Sequence, residues 1–119
     1  MRSRPEELRD RTKAFALRVI RLFRSLPYKT DTQVLGKQLL RCGTSVAANY
    51  RAVCRARSKA EFVARLGIVA EEADEAVLWL ELLIESGILK SEMTEEILKE
   101  ARELAAILTA SRETARKAA

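Results

Sequence analysis

Between Gln38 and Tyr50 the chain reads QLLRCGTSVAANY, where Gly43, Ser45, Ala47 and Ala48 interrupt what is otherwise a long amphipathic helix. Small side chains let a neighbouring helix approach closely, which directs the chain towards helices lying side by side. Asn49 falls in the same crowded stretch, with an amide that needs partners. Gly36 and Gly43 each cost a helix roughly 1 kcal/mol relative to alanine, so each implies a packing reason or a bend.

The remaining pattern is helical throughout. Leu, Ala, Glu, Lys and Arg dominate and aromatic residues make up 5 % of the chain, which favours helix over sheet. Pro5 suits a first helical turn, with Glu6 and Glu7 at the positive end of the dipole. Leu8, Thr12, Phe15, Val19, Leu22 and Leu26 share one face at 100° per residue, so the first helix spans about Pro5 to Leu26 and stops before Pro27. Asp31 or Thr32 can cap a second helix from about Thr32 to Arg57. Ser58 and Glu61 form a capping box that opens a third, from about Ser58 to Ser86, with Phe62, Leu66, Val69, Ala73, Ala76, Leu80 and Leu83 or Ile84 inward and Gly87 marking its end. A fourth helix is predicted from about Ser91 to Arg112, with Met93, Ile97, Ala101, Leu104 and Leu108 inward and fraying beyond Ser111. Short connections make sequence neighbours antiparallel. The expectation is an all-α, up-down-up-down four-helix bundle, a single domain over residues 1–119.

Composition removes several kinds of function. The chain has no histidine, which excludes imidazole-based triads and the Glu-x-x-His motifs of di-metal carboxylate bundles. Cys42 and Cys54 lie about 18 Å apart along one predicted helix, too far for a disulfide, and read as small thiols in a reducing compartment. Glu72 and Glu75 form a carboxylate pair, but nothing else supplies a nucleophile, a metal-ligand set or a phosphate-binding glycine loop. No catalytic residue, metal or cofactor is expected. With no run of eighteen uncharged apolar residues and no apolar leader, neither a membrane span nor secretion is predicted, and the expected location is the cytoplasm.

Charge is divided unevenly. The net value is +5, yet residues 1–60 hold fifteen Lys/Arg against four Asp/Glu, giving +11, and the remainder carries −6. Two basic stripes follow the helical period: Lys37, Arg41, Arg51 and Arg55 within about 80° on the second helix, and Arg4, Arg11 and Arg18 within about 40° on the first. Arginine forks suit bidentate recognition of phosphate or carboxylate, so the stripes are candidate nucleic-acid contacts. The competing reading pairs them with the acidic helices of the same or a neighbouring subunit. Only Tyr28 and Tyr50 lie near the stripes, which favours contact with backbone phosphates over stacked bases.

A further stripe on the third helix mixes Glu61, Ile68, Glu72, Glu75, Trp79 and Leu82. A solvated face rarely needs both Ile68 and Trp79, so this is a candidate subunit or helix contact whose carboxylates meet Arg41, Asn49 or Arg51. Leu17 and Ile20 form a second apolar edge on the first helix. Both edges point to an oligomer.

FAL at Phe15 to Leu17, the Leu-Pro turn, the Gln38 to Tyr50 run, SKAEF at Ser58 to Phe62 and AEEADEAVLWL at Ala70 to Leu80 occur in the order found in a known family. Over about Phe15 to Leu108 the chain resembles the bacterial four-helix bundle proteins of 23S rRNA intervening sequences. A related group comprises accessory proteins of diversity-generating retroelements, which are pentameric, positively charged, and bind nucleic acid and a reverse transcriptase. The resemblance implies a homo-oligomer, by likeness a pentamer, acting as a non-enzymatic accessory or scaffold for RNA or DNA, with a reverse transcriptase as a possible partner. Cys42 stands where the family usually has serine, and Arg51 where many members have glutamate. The alternative is a structural protein-interaction oligomer that binds no nucleic acid.

Overall fold

The computed structural model describes residues 3–90 and 92–118. Four helices follow in order: α1 (Arg4–Ser25), α2 (Thr30–Cys54), α3 (Lys59–Glu85) and α4 (Glu92–Ala118). Each packs antiparallel on its sequence neighbours, and α1 meets α4 more loosely, closing an up-down-up-down bundle of 46 × 28 × 19 Å. The predicted start of the fourth helix at Ser91 and the inward side chain of Met93 lie outside the described residues.

The helix ends follow local chemistry. Ser3 accepts from the Glu6 N–H at 3.3 Å and donates its hydroxyl to the Glu6 carboxylate at 2.9 Å, so α1 starts one residue before Pro5. Asp31 and Thr32 do not cap α2. The helix begins at Thr30, Lys29 stands at the cap position without a side-chain bond, and the Asp31 carboxylate accepts from the Thr32 N–H at 2.8 Å inside the first turn. α3 ends through Gly87 at φ +83, a conformation that disfavours a Cβ, while the Leu89 N–H reaches back to the Leu83 carbonyl at 2.9 Å. α4 does not fray at Ser111. It continues to Ala118 because Arg116 pairs with Glu113 at 2.8 Å, Ala115 packs on the core, and Lys59 of α3 donates to the Ala118 carbonyl at 3.3 Å.

Inside, Phe15, Val19, Leu39, Val46, Val69, Leu80, Leu83, Leu104 and Leu108 are fully buried and form one cluster. Thr12 is buried with them and satisfies its hydroxyl on the Arg9 carbonyl at 3.0 Å. Leu22 is half-buried, and Phe62 reaches the surface instead of the core, over a cleft beside Ile107.

Both helical glycines of α2 have packing reasons. A Cβ on Gly43 would lie 2.8 and 2.9 Å from the two methyl carbons of Val19, and one on Gly36 would lie 2.7 Å from a methyl of Leu26. These positions set the α1–α2 separation. Val19 cannot rotate away cheaply, since a β-branched residue in a helix has one strongly preferred χ1.

Gly43→Ala is therefore expected to destabilise the fold. It gains about 1 kcal/mol of helix propensity but incurs about 1–3 kcal/mol of overpacking. Urea denaturation should show a lower midpoint, and in a Val19→Ala background the same substitution should lose most of its cost. A rise in midpoint in the otherwise unmodified protein would refute the close-approach account.

Candidate nucleic-acid interface

The corner between α2 and α3 gathers arginines on a fixed turn. Beyond Cys54 the Arg55 N–H bonds to the Ala52 carbonyl at 3.1 Å, and Ser58 then adopts an extended conformation and accepts from the Glu61 N–H at 3.0 Å. Glu61 reaches back to the Arg57 N–H at 3.2 Å and sideways to Arg65 Nε at 2.9 Å. One carboxylate thus fixes the turn and anchors an arginine.

Arg51, Arg55, Arg57 and Arg65 wall a cleft of about 580 Å³ at this corner. Its α2 side carries Ala48 and Ala52, whose short side chains leave the space open, and Glu61 is its one carboxylate. Among the described residues, Arg51 and Arg55 have no carboxylate partner. Arg51 and Arg55 were legible as a stripe. Arg57 and Arg65 were missed, although Arg57 abuts the capping box and Arg65 stands four residues after Glu61.

The other basic candidates divide. Lys37 is exposed near the opposite end of α2. Arg41 turns inward along the surface: its Nη2 donates to Glu75 at 2.8 Å and to the Cys42 sulfur at 3.2 Å, and its Nη1 reaches Glu72 at 3.3 Å. On α1 the stripe faces α4. Arg11 forks onto both oxygens of Glu100 at 2.9 and 2.7 Å and reaches Glu103 at 2.9 Å, while Arg4 and Arg18 line separate clefts along the bundle. Arg11 and Arg41 thus use their guanidinium groups on this chain's own carboxylates. Tyr50 is buried and offers no stacking face, whereas Tyr28 is 96 % exposed in the α1–α2 turn.

On the mixed α3 stripe, Glu75 also accepts from Trp79 Nε1 at 3.4 Å, joining Arg41, Glu72, Glu75 and Trp79 in one network. Asn49 and Arg51 do not serve these carboxylates. Asn49 Nδ2 donates to the Ser45 carbonyl at 3.0 Å and hydroxyl at 2.7 Å, because an amide one turn along the same helix finds those acceptors first. Ile68 and Leu82 are exposed beside the network, Trp79 is half-buried, and Val34 adds an exposed apolar residue on α2. Leu17 is exposed and Ile20 half-buried on α1.

The Cys42 sulfur and the Glu72 and Glu75 carboxylates converge within 4.8 Å, a spacing that a cation can use. Arg41 supplies that cation. Burial, with the neighbouring carboxylates adding to it, pushes the Cys42 thiol up to about 12 despite Arg41, so the sulfur stays protonated at neutral pH and is a poor metal ligand. No helix among the described residues is long and apolar enough to cross a membrane.

Two measurements check this electrostatic picture. Arg65 first, then the Arg57 N–H, hold the Glu61 carboxyl below its ordinary range. A depressed folded-state pKa stabilises the fold above the unfolded value near about 4.3, and that contribution disappears as pH falls through the folded value. Glu61→Gln should accordingly flatten the acid limb of the stability profile, and an unchanged limb would remove Glu61 from its anchoring role. A thiol reagent should modify exposed Cys54 in the native protein and reach Cys42 only on unfolding.

Residues 6–110 match the family described as 23S rRNA-intervening sequence protein. No curated protein matches the chain. A solved structure from Bacteroides thetaiotaomicron, of a protein with unknown function from the S23 ribosomal protein family, is similar at 33 % identity and a TM-score of 0.84, covering 93 % of this chain and 99 % of that one. The four-helix architecture and the match over residues 6–110 place this chain in the 23S rRNA-intervening sequence protein family.

Proposed function

We propose that the protein is a non-catalytic, oligomeric accessory or scaffold protein that holds RNA by its phosphate backbone at the α2–α3 corner. The observation that carries this reading is the cleft of four arginines with a single carboxylate, in which Arg51 and Arg55 stand without acidic partners. A fork on a fixed turn suits a phosphate, and the scarcity of exposed aromatics beside it favours backbone contact over base readout. Membership of a family named for an rRNA intervening sequence supports RNA as the polyanion. The retroelement likeness extends the reading to a reverse transcriptase partner.

Assembly belongs to the same proposal. Ile68, Trp79 and Leu82 on α3 and Leu17 on α1 form two separate apolar edges, which suit a head-to-tail contact that closes into a ring, of five subunits by likeness. A ring presents the arginine corner several times, so individually weak phosphate contacts act together. The second reading, a protein-interaction scaffold, draws on Arg11 and Arg41, which already satisfy carboxylates instead of phosphates.

Light scattering at micromolar concentration should give a multiple of the 13.4 kDa chain mass, and Trp79→Ala should dissociate the assembly before helix content falls. A monomer throughout would overturn the assembly proposal. Fluorescence anisotropy with structured RNA and duplex DNA at about 50 and 200 mM salt should show affinity falling linearly on logarithmic axes. Changing Arg51, Arg55 and Arg57 together to glutamine should reduce that slope by roughly two to three while the oligomer persists. Absence of binding by the intact oligomer at the lower salt would replace this reading with the scaffold.

A further inference from the structure

The α1–α4 seam presents arginine at two successive heptad positions and treats each differently. At the first, Arg11 grips Glu100 in a two-pronged bond across the seam. Two turns on, Arg18 stands on the same flank of α1 and opens with Arg21 onto a cleft of about 620 Å³. Leu22 of α1, Leu89 of the preceding turn and Ile97 of α4 supply its apolar wall; Ile97 is buried and both leucines are half-buried. Glu96 is its one carboxylate, and no ion pair joins it to either arginine. Neither Arg18 nor Arg21 has any other carboxylate partner among the described residues.

This combination has a specific complement. The volume lies within the range of small-molecule sites, which occur between the helices of bundles and pair an apolar lining with a few polar groups that fix orientation. Two arginines in the lining select an anion, and three aliphatic side chains select hydrocarbon. The Arg11–Glu100 pair supplies the geometry within the same seam: a carboxylate approaching from the α4 side meets an arginine fork on α1.

We propose that this cleft binds an aliphatic carboxylate from outside the chain. Its carboxylate occupies at Arg18 and Arg21 the place that Glu100 occupies at Arg11, and its hydrocarbon lies along Leu22, Leu89 and Ile97. Binding is independent of RNA, since the cleft and the arginine corner lie on different helix pairs.

Decanoate is the probe, titrated calorimetrically into the intact wild-type assembly below its micelle concentration, with decanol and acetate as separate titrants. One decanoate per chain is expected, with decanol and acetate each weaker by about tenfold or more, as loss of charge-assisted hydrogen bonds or of the apolar contact predicts. Arg18→Gln with Arg21→Gln should weaken decanoate by about tenfold or more at unchanged helix content. Glu96→Gln, which removes the opposing negative charge, should tighten it. Equal binding of decanol and decanoate would show an apolar crevice without anion recognition and overturn the proposal, as would the absence of any decanoate heat. Weaker binding with a lower melting temperature in Glu96→Gln would equally overturn it by making Glu96 the arginines' own partner. The wild-type comparison and Glu96→Gln keep the test decisive if the double arginine variant fails to fold.

Discussion

The bundle depends on the close approach of α1 to α2, where Gly43 meets Val19 and Gly36 meets Leu26 with no space for even a methyl group. α1 is held hard against α2, and its packing on α4 is the loosest of the four helix seams. Arg11 bridges that seam to Glu100 and Glu103, and a cleft opens along it beside Arg18, whereas the cleft that Arg4 borders is walled by α3 and α4. The glycines lower the intrinsic stability of α2 as a helix, and the tighter interhelical contact offsets that cost.

Electrostatics sorts the arginines by what faces them. α3 and α4 carry most of the acidic residues, so several arginines that look across a groove towards either helix find a carboxylate: Arg11 finds Glu100, Arg41 finds Glu72 and Glu75, and Arg102 finds Glu81. The last turn of α2 looks towards the first turn of α3, where Glu61 alone is available and is already held by Arg65 and the Arg57 N–H. Arg51 and Arg55 are left over by topology. Ion pairs thus neutralise part of the positive charge of the first half of the chain at Arg11 and Arg41, and the α2–α3 corner keeps a local excess.

Much of this was legible in sequence, and the failures have physical causes. Helix number and order followed from apolar periodicity and turn residues, and the close approach at Gly43 from the run of small residues around it. The Ser58–Glu61 box was readable because its partners are local. α4 was expected to fade at Ser111 because the apolar stripe weakens there, but Ala, Arg, Glu and Lys continue a helix without one, and a tertiary bond from Lys59 reaches its last residues. The arginine stripes were correctly placed on their helices yet could not reveal their use. Periodicity gives a residue's angle around its own axis, not the charge across the groove. Asn49 stands among the three candidate partners of the α3 carboxylates for the same reason, although Ser45 lies one turn away on its own helix.

The α2–α3 corner also supports an argument from magnitude about why arginine can stand there without a carboxylate. A helix ends in unpaired carbonyls with a partial negative charge, and a cation in its last turn gains about 0.3–1 kcal/mol from them. Arg51 lies in the last turn of α2 and Arg55 at its cap, so the helix terminus partly compensates both without using their donor groups. A charge-assisted hydrogen bond to an anion contributes about 1.5–3 kcal/mol, which exceeds that compensation. A phosphate arriving at the corner can therefore engage these guanidinium groups without first breaking an ion pair, whereas at Arg11 or Arg41 it would have to displace a carboxylate already bound. The difference between the two kinds of arginine is the cost of freeing the fork, which Arg11 and Arg41 incur and Arg51 and Arg55 do not.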